Sequence, residues 1–202
     1  MWFFDLLLYL NIPLLYTILH VYFQQVFAGN SATYELIGMT CSVGLIVGTI
    51  GINVAHELGH RSKRSEQTMA KILLLSGLYM HFFIEHNRGH HKHVSTDADP
   101  ASARYGENLY TFWLRSVIGS WRNAWKLEAE RLQKMGLSWF SWQNEMLRFQ
   151  VFQFGYLLCI GLVYDWWVLA YALAVAVFGF LLLESVNYIE HYGLRRKTLP
   201  NG

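Results

Sequence analysis

Charge is what this 202-residue chain has least of. Charged residues make up 15% of it, against 53% hydrophobic and 16% aromatic, and a water-soluble domain carries roughly a quarter charged residues. Basic side chains are missing altogether before Arg61. With no basic n-region in that gap and an N-terminal apolar segment too long for a signal core, a cleaved secretory signal is not expected. The formal net charge of +2 gives no footing for nucleic acid, so none is expected among the partners. Only two cysteines occur, Cys41 and Cys159, each inside an apolar stretch and without CxxC or CxH spacing. A zinc knuckle and a disulfide framework are therefore excluded, and both read as small packing residues. The chain has no internal repeat and no low-complexity segment.

What is present is a series of long apolar runs. Run 2–27 is broken by Asp5, Asn11, Pro13 and His20, can cross about 30 Å of hydrocarbon, and is expected to kink near Pro13. After the turn AGNSAT, run 34–55 carries one charge, Glu35, and four glycines, Gly38, Gly44, Gly48 and Gly51, that let a neighbouring helix approach closely. Run 70–84 is shorter than a span, and so is re-entrant, tilted, or continued into the polar sequence beyond it. Runs 149–164 and 166–183, separated by little more than Asp165, predict a tight helical hairpin. Between 101 and 147 the chain mixes Trp, Phe and Leu with Arg, Lys and Glu, as in FWLRSVIGSWRNAWKLEAERL. Two readings are open there, an amphipathic helix in the membrane interface and a soluble helix packed on the domain. The fold expected is all-α, an integral membrane helical bundle forming a single domain over 1–202. Twelve of the sixteen basic residues fall between Arg61 and Lys134, which predicts that this region faces the cytoplasm.

Six of the nine histidines lie in three polar islands beside the apolar runs: His56 and His60 in HELGH, His86, His90 and His91 in HNRGHH, and His191 in NYIEHYG. Imidazole is a good ligand for iron, zinc or copper, and ionisable groups at the edge of a membrane segment point to function. On a helix His56 and His60 share a face, as do His86 and His90, while His91 is turned about 100° away toward a second metal or a second edge of the site. HELGH also reads as H-E-x-x-H, the zinc-protease signature, with Glu57 as general base. A catalytic zinc takes three protein ligands, whereas five or six imidazoles supply two metals, so two irons fit the count better. Glu57, Glu85, Glu190, Asp97 and Asp99 can accept the free N–H of a ligating imidazole, and solvated surface roles stand beside that reading. His20, His81 and His93 are assigned structural or supporting roles.

The strings NVAHELGHR, HFFIEHNRGHHKHV followed by DPASAR, and NYIEHYGL resemble the membrane alkane 1-monooxygenase (alkane omega-hydroxylase) family, within the membrane fatty-acid desaturase/hydroxylase superfamily, over most of the chain. The second box has the form H-x-x-x-H-H, where desaturases usually carry H-x-x-H-H, and NYIEHYGL is a hydroxylase feature. The resemblance implies a non-haem di-iron centre on the cytoplasmic side of the bacterial inner membrane, its two iron ions held by His56, His60, His86, His90, His91 and His191. It further implies electrons from rubredoxin, served by rubredoxin reductase, and an apolar tunnel for a medium-chain n-alkane among membrane lipid. The terminal methyl is hydroxylated with O2 to a 1-alkanol, and the second oxygen leaves as water. No catalytic residue beyond the metal centre is implied. The family carries a last H-x-x-H-H box downstream of NYIEHYGL, and a helical region upstream of Met1 is absent too. The sequence therefore reads as a fragment expected to bind iron poorly and to turn over little by itself. Three other readings are carried: an intramembrane zinc metalloprotease built on His56, His60 and Glu57, which leaves HNRGHH without a purpose; a desaturase or hydroxylase acting on another lipid; and a non-enzymatic membrane scaffold or metal carrier. Arg104, Arg115, Arg122, Lys126 and Arg131 can attract an acidic electron donor or an anionic headgroup.

Overall fold

A computed structural model describes residues 2–197, and the regular elements among the described residues are all helical. They follow the apolar runs closely. Helix α1 spans Trp2–Ala28 with Pro13 inside one continuous helix. Gly29, at φ 67°, lets the chain turn away, and the Glu35 carboxylate accepts the Ala32 amide at 2.7 Å to start the return. The returning run Thr33–Gly59 is one long apolar helix in three parts: α2 (Thr33–Ile46), a π-helical stretch (Val47–Asn53) and α3 (Val54–Gly59). Then come α4 (Arg64–Ser76), the short α5 (Phe82–Glu85), a second π-helical stretch (His86–His90), α6 (His91–His93), α7 (Leu109–Lys134), α8 (Glu145–Val163) and α9 (Val168–His191).

Four of these helices are long and apolar enough to cross a membrane: Trp2–Ala28, Thr33–Gly59, Glu145–Val163 and Val168–His191. Run 70–84 is not a single helix. Its first half closes α4, where Ser76 bonds back to the Leu73 carbonyl, and the chain then breaks at Gly77 and Leu78, the latter at φ 51°. Only from Phe82 does helix resume and lead into the second histidine box.

Two compact units divide the chain. The first comprises the chain up to Phe83 together with Arg148–Leu183. At one of its ends Arg61 pairs with Asp5 at 2.6 Å and Glu66 at 3.0 Å, and the Tyr9 hydroxyl donates to Glu66 at 2.6 Å. The start of α1 and the end of the α2–α3 run therefore lie together, as a hairpin requires. Toward the other end Tyr164, at the α8–α9 turn, meets His20 and Phe23 of α1. His20 is exposed on the surface of the bundle, bonded to the Tyr164 hydroxyl. The packed interior is apolar, with Leu15, Leu19, Val47, Ile52, Leu58 and Leu73 fully or almost fully buried, while Trp2, Phe4, Phe154 and Leu162 point outward. A helix apolar on every side suits lipid.

Helix approach in this unit rests on two of the four glycines. A Cβ on Gly44 would meet the Phe178 side chain at 2.7 Å, and one on Gly48 would meet the Gly179 carbonyl oxygen at 2.9 Å. Gly51 packs against Ser76 and Leu15, whereas Gly38 has open space around it. The second unit comprises Ile84–Leu147 together with the chain from Glu184. Its long helix α7 buries Phe112, Ser116, Ser120, Ala124, Glu128 and Leu132, one residue in every four.

Gly48→Val is expected to lower the thermal midpoint of the protein in detergent, by the roughly 1–3 kcal/mol typical of overpacking. Gly38→Val, with nothing to strike, should leave the midpoint unchanged in the same assay.

Candidate metal centre

Local backbone geometry explains how the histidines are grouped. His56 in α3 and His60, which caps the end of that helix, lie four residues apart with ring centroids 4.6 Å apart, and His56 also meets Phe82. The second box follows a different rule. Its first five residues are π-helical, and the His91 amide reaches back to the His86 carbonyl, five residues away. Residues five apart are thereby brought onto one face. His86 and His91 come ring to ring at 4.5 Å, with their Nε2 atoms 3.0 Å apart.

The expected register of this box needs correction. His86 and His90 do lie near one another, at 5.2 Å between centroids, but the nitrogens that meet are those of His86 and His91. The π-turn adds a residue to the repeat and carries His91 over His86. His90 turns instead to Asp99, whose carboxylate lies 2.9 Å from His90 Nδ1, and to His191, 5.0 Å away between ring centroids. His191, the last residue of α9, donates through Nδ1 to the Asn187 carbonyl at 2.9 Å. With Nδ1 so engaged, His90 and His191 each keep Nε2 as the nitrogen available to a metal. Each unit thus presents a histidine pair that can offer nitrogens to a metal ion, His56 with His60 in the first and His86 with His91 in the second. Bonds of about 2.1 Å meeting at a right angle end about 3 Å apart, which is the His86–His91 spacing, so the donor set fits a metal.

Around the second box the electrostatics are organised by buried carboxylates. Asp99 accepts from His90, from Ser102 and from the Ala101 amide. Burial alone would raise its pKa, but these bonds outweigh burial and hold it below the usual carboxylate value. For His90, burial favours the neutral ring, and the Asp99 carboxylate more than reverses that, raising its pKa. Glu85 is pushed up to about 7 by burial, against a hydrogen bond from Asn123 that favours its charged form. His81, whose Nε2 is buried without a hydrogen-bond partner, is driven down to about 3 by burial and stays neutral.

Of the carboxylates proposed as imidazole partners, Asp99 takes that part. Glu57 instead lies 3.6 Å from Arg61, and Asp97 pairs with Arg195 at 2.6 Å. One anchor was not read from the sequence. Glu128, fully buried in α7, accepts from Arg131 at 2.6 Å, from Arg88 at 3.0 Å and from the Glu145 amide at 2.7 Å, while Arg88 also reaches Glu145 at 2.9 Å. Arg88 is the arginine of HNRGHH, so this network fixes the second box to α7. The charged residue inside the box was the available signal.

Residues 32–201 match the family model described as fatty acid desaturase. The chain is 44% identical over 166 residues to Alkane 1-monooxygenase 2 of Pseudomonas aeruginosa, a match covering 82% of this chain and 44% of that protein. It is 38% identical over 200 residues to Alkane 1-monooxygenase 1 of Alcanivorax borkumensis, covering 99% and 49%. A xylene/toluene monooxygenase hydroxylase component of Pseudomonas putida is 28% identical over 206 residues, covering 95% and 53%. The chain spans about half the length of the curated relatives it matches.

Burial raises the pKa of Glu128, but the Arg131, Glu145-amide and Arg88 interactions outweigh it and leave the group below its ordinary 4.5. The stability it contributes is therefore full above 4.5 and is lost as pH falls below that through the lowered folded-state value. Glu128→Ala is expected to destabilise the protein by about 3 kcal/mol at neutral pH, since it removes the buried acceptor that Arg131, Arg88 and the Glu145 amide share. Melting curves between pH 6 and pH 3 should fall more steeply for the wild type than for Glu128→Gln.

Proposed function

The chain belongs to the fatty acid desaturase family, and on that premise we propose that it carries the metal centre of a membrane alkane 1-monooxygenase. The observation that carries the reading is the His86–His91 pair, Nε2 to Nε2 at 3.0 Å across a π-turn, in a chain whose relatives include alkane 1-monooxygenases. His56, His60, His86, His90, His91 and His191 would hold the metal, His90 and His191 through Nε2. Two irons, when bound, supply the activation of O2.

The protein's own residues do the rest. Asp99 and the Asn187 carbonyl hold the His90 and His191 rings with Nδ1 protonated, which orients Nε2 and raises its basicity. Glu128 and Arg88 keep the π-turn in place. The substrate is a medium-chain n-alkane, taken from the lipid and hydroxylated at its terminal methyl. Electrons come from rubredoxin, reduced by its reductase. The site faces the cytoplasm across a bacterial inner membrane, a reading supported by the basic residues gathered between Arg61 and Lys134. The zinc-protease reading has less support, because the Glu57 side chain is 60% exposed and beside Arg61, whereas a general base must reach the metal-bound water.

In the full-length protein, metal analysis with Mössbauer spectroscopy is expected to give two coupled irons per chain, and octane with reduced rubredoxin should give 1-octanol. A single zinc, with peptide hydrolysis abolished by Glu57→Gln, would select the protease. Asp99→Ala is expected to weaken metal binding by about 10–100-fold, read as retained iron against a graded chelator.

A further inference from the structure

On the first half of α7 the outward-facing residues are apolar apart from Thr111. Tyr110, Leu114, Ile118 and Trp121 recur at helical spacing opposite the buried Phe112, Ser116 and Ser120, and are 73%, 69%, 48% and 42% exposed. The stripe does not end with the helix. Trp121 meets Trp125 at 6.0 Å, Trp125 meets Trp139 at 5.3 Å, and Trp139 meets Phe140 at 4.7 Å. Phe140 is 79% exposed. A contiguous apolar surface of this kind marks contact with something other than water.

Chain connectivity identifies the occupant. Helix α8, long and apolar enough to cross a membrane, begins at Glu145. Phe140 stands five residues earlier, within about 18 Å of extended chain, so the loop 139–142 cannot lie far from the level at which the chain enters lipid. The Trp139–Trp125 contact carries that level to α7. Tyr and Trp favour the headgroup region, where one edge is apolar and the other wet. Arg122 and Lys126, exposed one turn apart beside Trp121 and Trp125, can extend along the apolar surface to anionic phosphates.

We propose that α7 lies in the membrane interface, with the Tyr110–Leu114–Ile118–Trp121 stripe and Phe140 embedded at the boundary between headgroups and acyl chains. The proposal is independent of the metal chemistry and requires only that α8 enters a bilayer.

The test uses the full-length protein with all its cysteines, Cys41 and Cys159 among them, replaced by Ser, and single cysteines placed by Leu114→Cys, Ile118→Cys, Phe140→Cys and, on the exposed polar surface, Gln133→Cys. Each variant is nitroxide-labelled in nanodiscs of phosphatidylcholine and phosphatidylglycerol, and its collision rates with oxygen and with a water-soluble nickel chelate are compared by power saturation. Labels at 114, 118 and 140 are expected to favour oxygen several-fold, and the label at 133 to favour nickel. Nickel dominating at 114 and 118 overturns the proposal. So does protection of those positions that appears only when an acidic electron-transfer protein is added, since the surface then belongs to that partner. Hydroxyl-radical footprinting of the unmodified protein in the same nanodiscs needs no cysteine variant. Trp139 and Phe140 should stay unmodified while Tyr105, 86% exposed, reacts, and equal reaction of all three overturns the proposal.

Discussion

The hydrogen bond from the His91 amide to the His86 carbonyl spans five residues where an α-turn spans four, and the division of labour among the histidines follows from that added residue. In an α-helical register His86 would overlie His90, and His91 would point to the side. In the wider turn His91 overlies His86, and His90 is released toward Asp99 and His191. One short box thus feeds two groups of imidazoles. Such turns are rare and need support. Here Gly89 supplies part of it, since a Cβ at that position would lie 2.6 Å from the Glu85 carboxylate and 2.7 Å from the Asn123 amide nitrogen. Arg88 supplies more, forked between Glu128 and Glu145.

The surroundings of that turn are held by polar bonds rather than by apolar burial. Asp99, Glu128, Glu85 and Glu184 are all buried in the second unit, and each has a named partner: His90 and Ser102, the two arginines, Asn123, and Ser116. A buried carboxylate without such partners costs several kcal/mol, so the network is stable only when complete. Completeness makes it directional. Apolar packing tolerates a small rotation of an imidazole, whereas the Asp99–His90 bond does not, and a ligand nitrogen has to be aimed.

The spans were legible in the sequence because length and hydropathy are local properties. Runs 2–27, 34–55, 149–164 and 166–183 match helices to within a few residues, except that α9 continues to His191. Helix approach at Gly44 and Gly48 was legible for the same reason, while the sequence could not show that Gly38 faces open space. The histidine islands were visible as pattern, but their register was not. No composition marks a π-turn, so an i, i+4 reading was the natural one for His86 and His90. The Glu128 anchor was hidden because its partners are remote in sequence, with Arg88 forty residues before it. The break at Leu78 in run 70–84 was hidden too, because its positive φ falls on a residue that ordinarily favours helix.

Helix α7 shows what sets a helix's orientation when water is not the only solvent. A water-soluble amphipathic helix turns its apolar stripe inward because burial removes that stripe from water. In α7 the inward stripe is half polar, with Ser116, Ser120 and Glu128 buried, and the outward stripe carries Tyr110, Leu114 and Ile118. Burial alone would rotate such a helix the other way. What holds it are bonds that only this rotation makes: Ser116 to Glu184, Asn123 to Glu85, and Glu128 to Arg131, Arg88 and the Glu145 amide. Each bonded buried group avoids a desolvation penalty of about 1–3 kcal/mol, comparable to the gain from burying one leucine side chain. Against water the two sides of that balance are close. Against hydrocarbon the outward apolar residues lose nothing, and the polar inward face prevails.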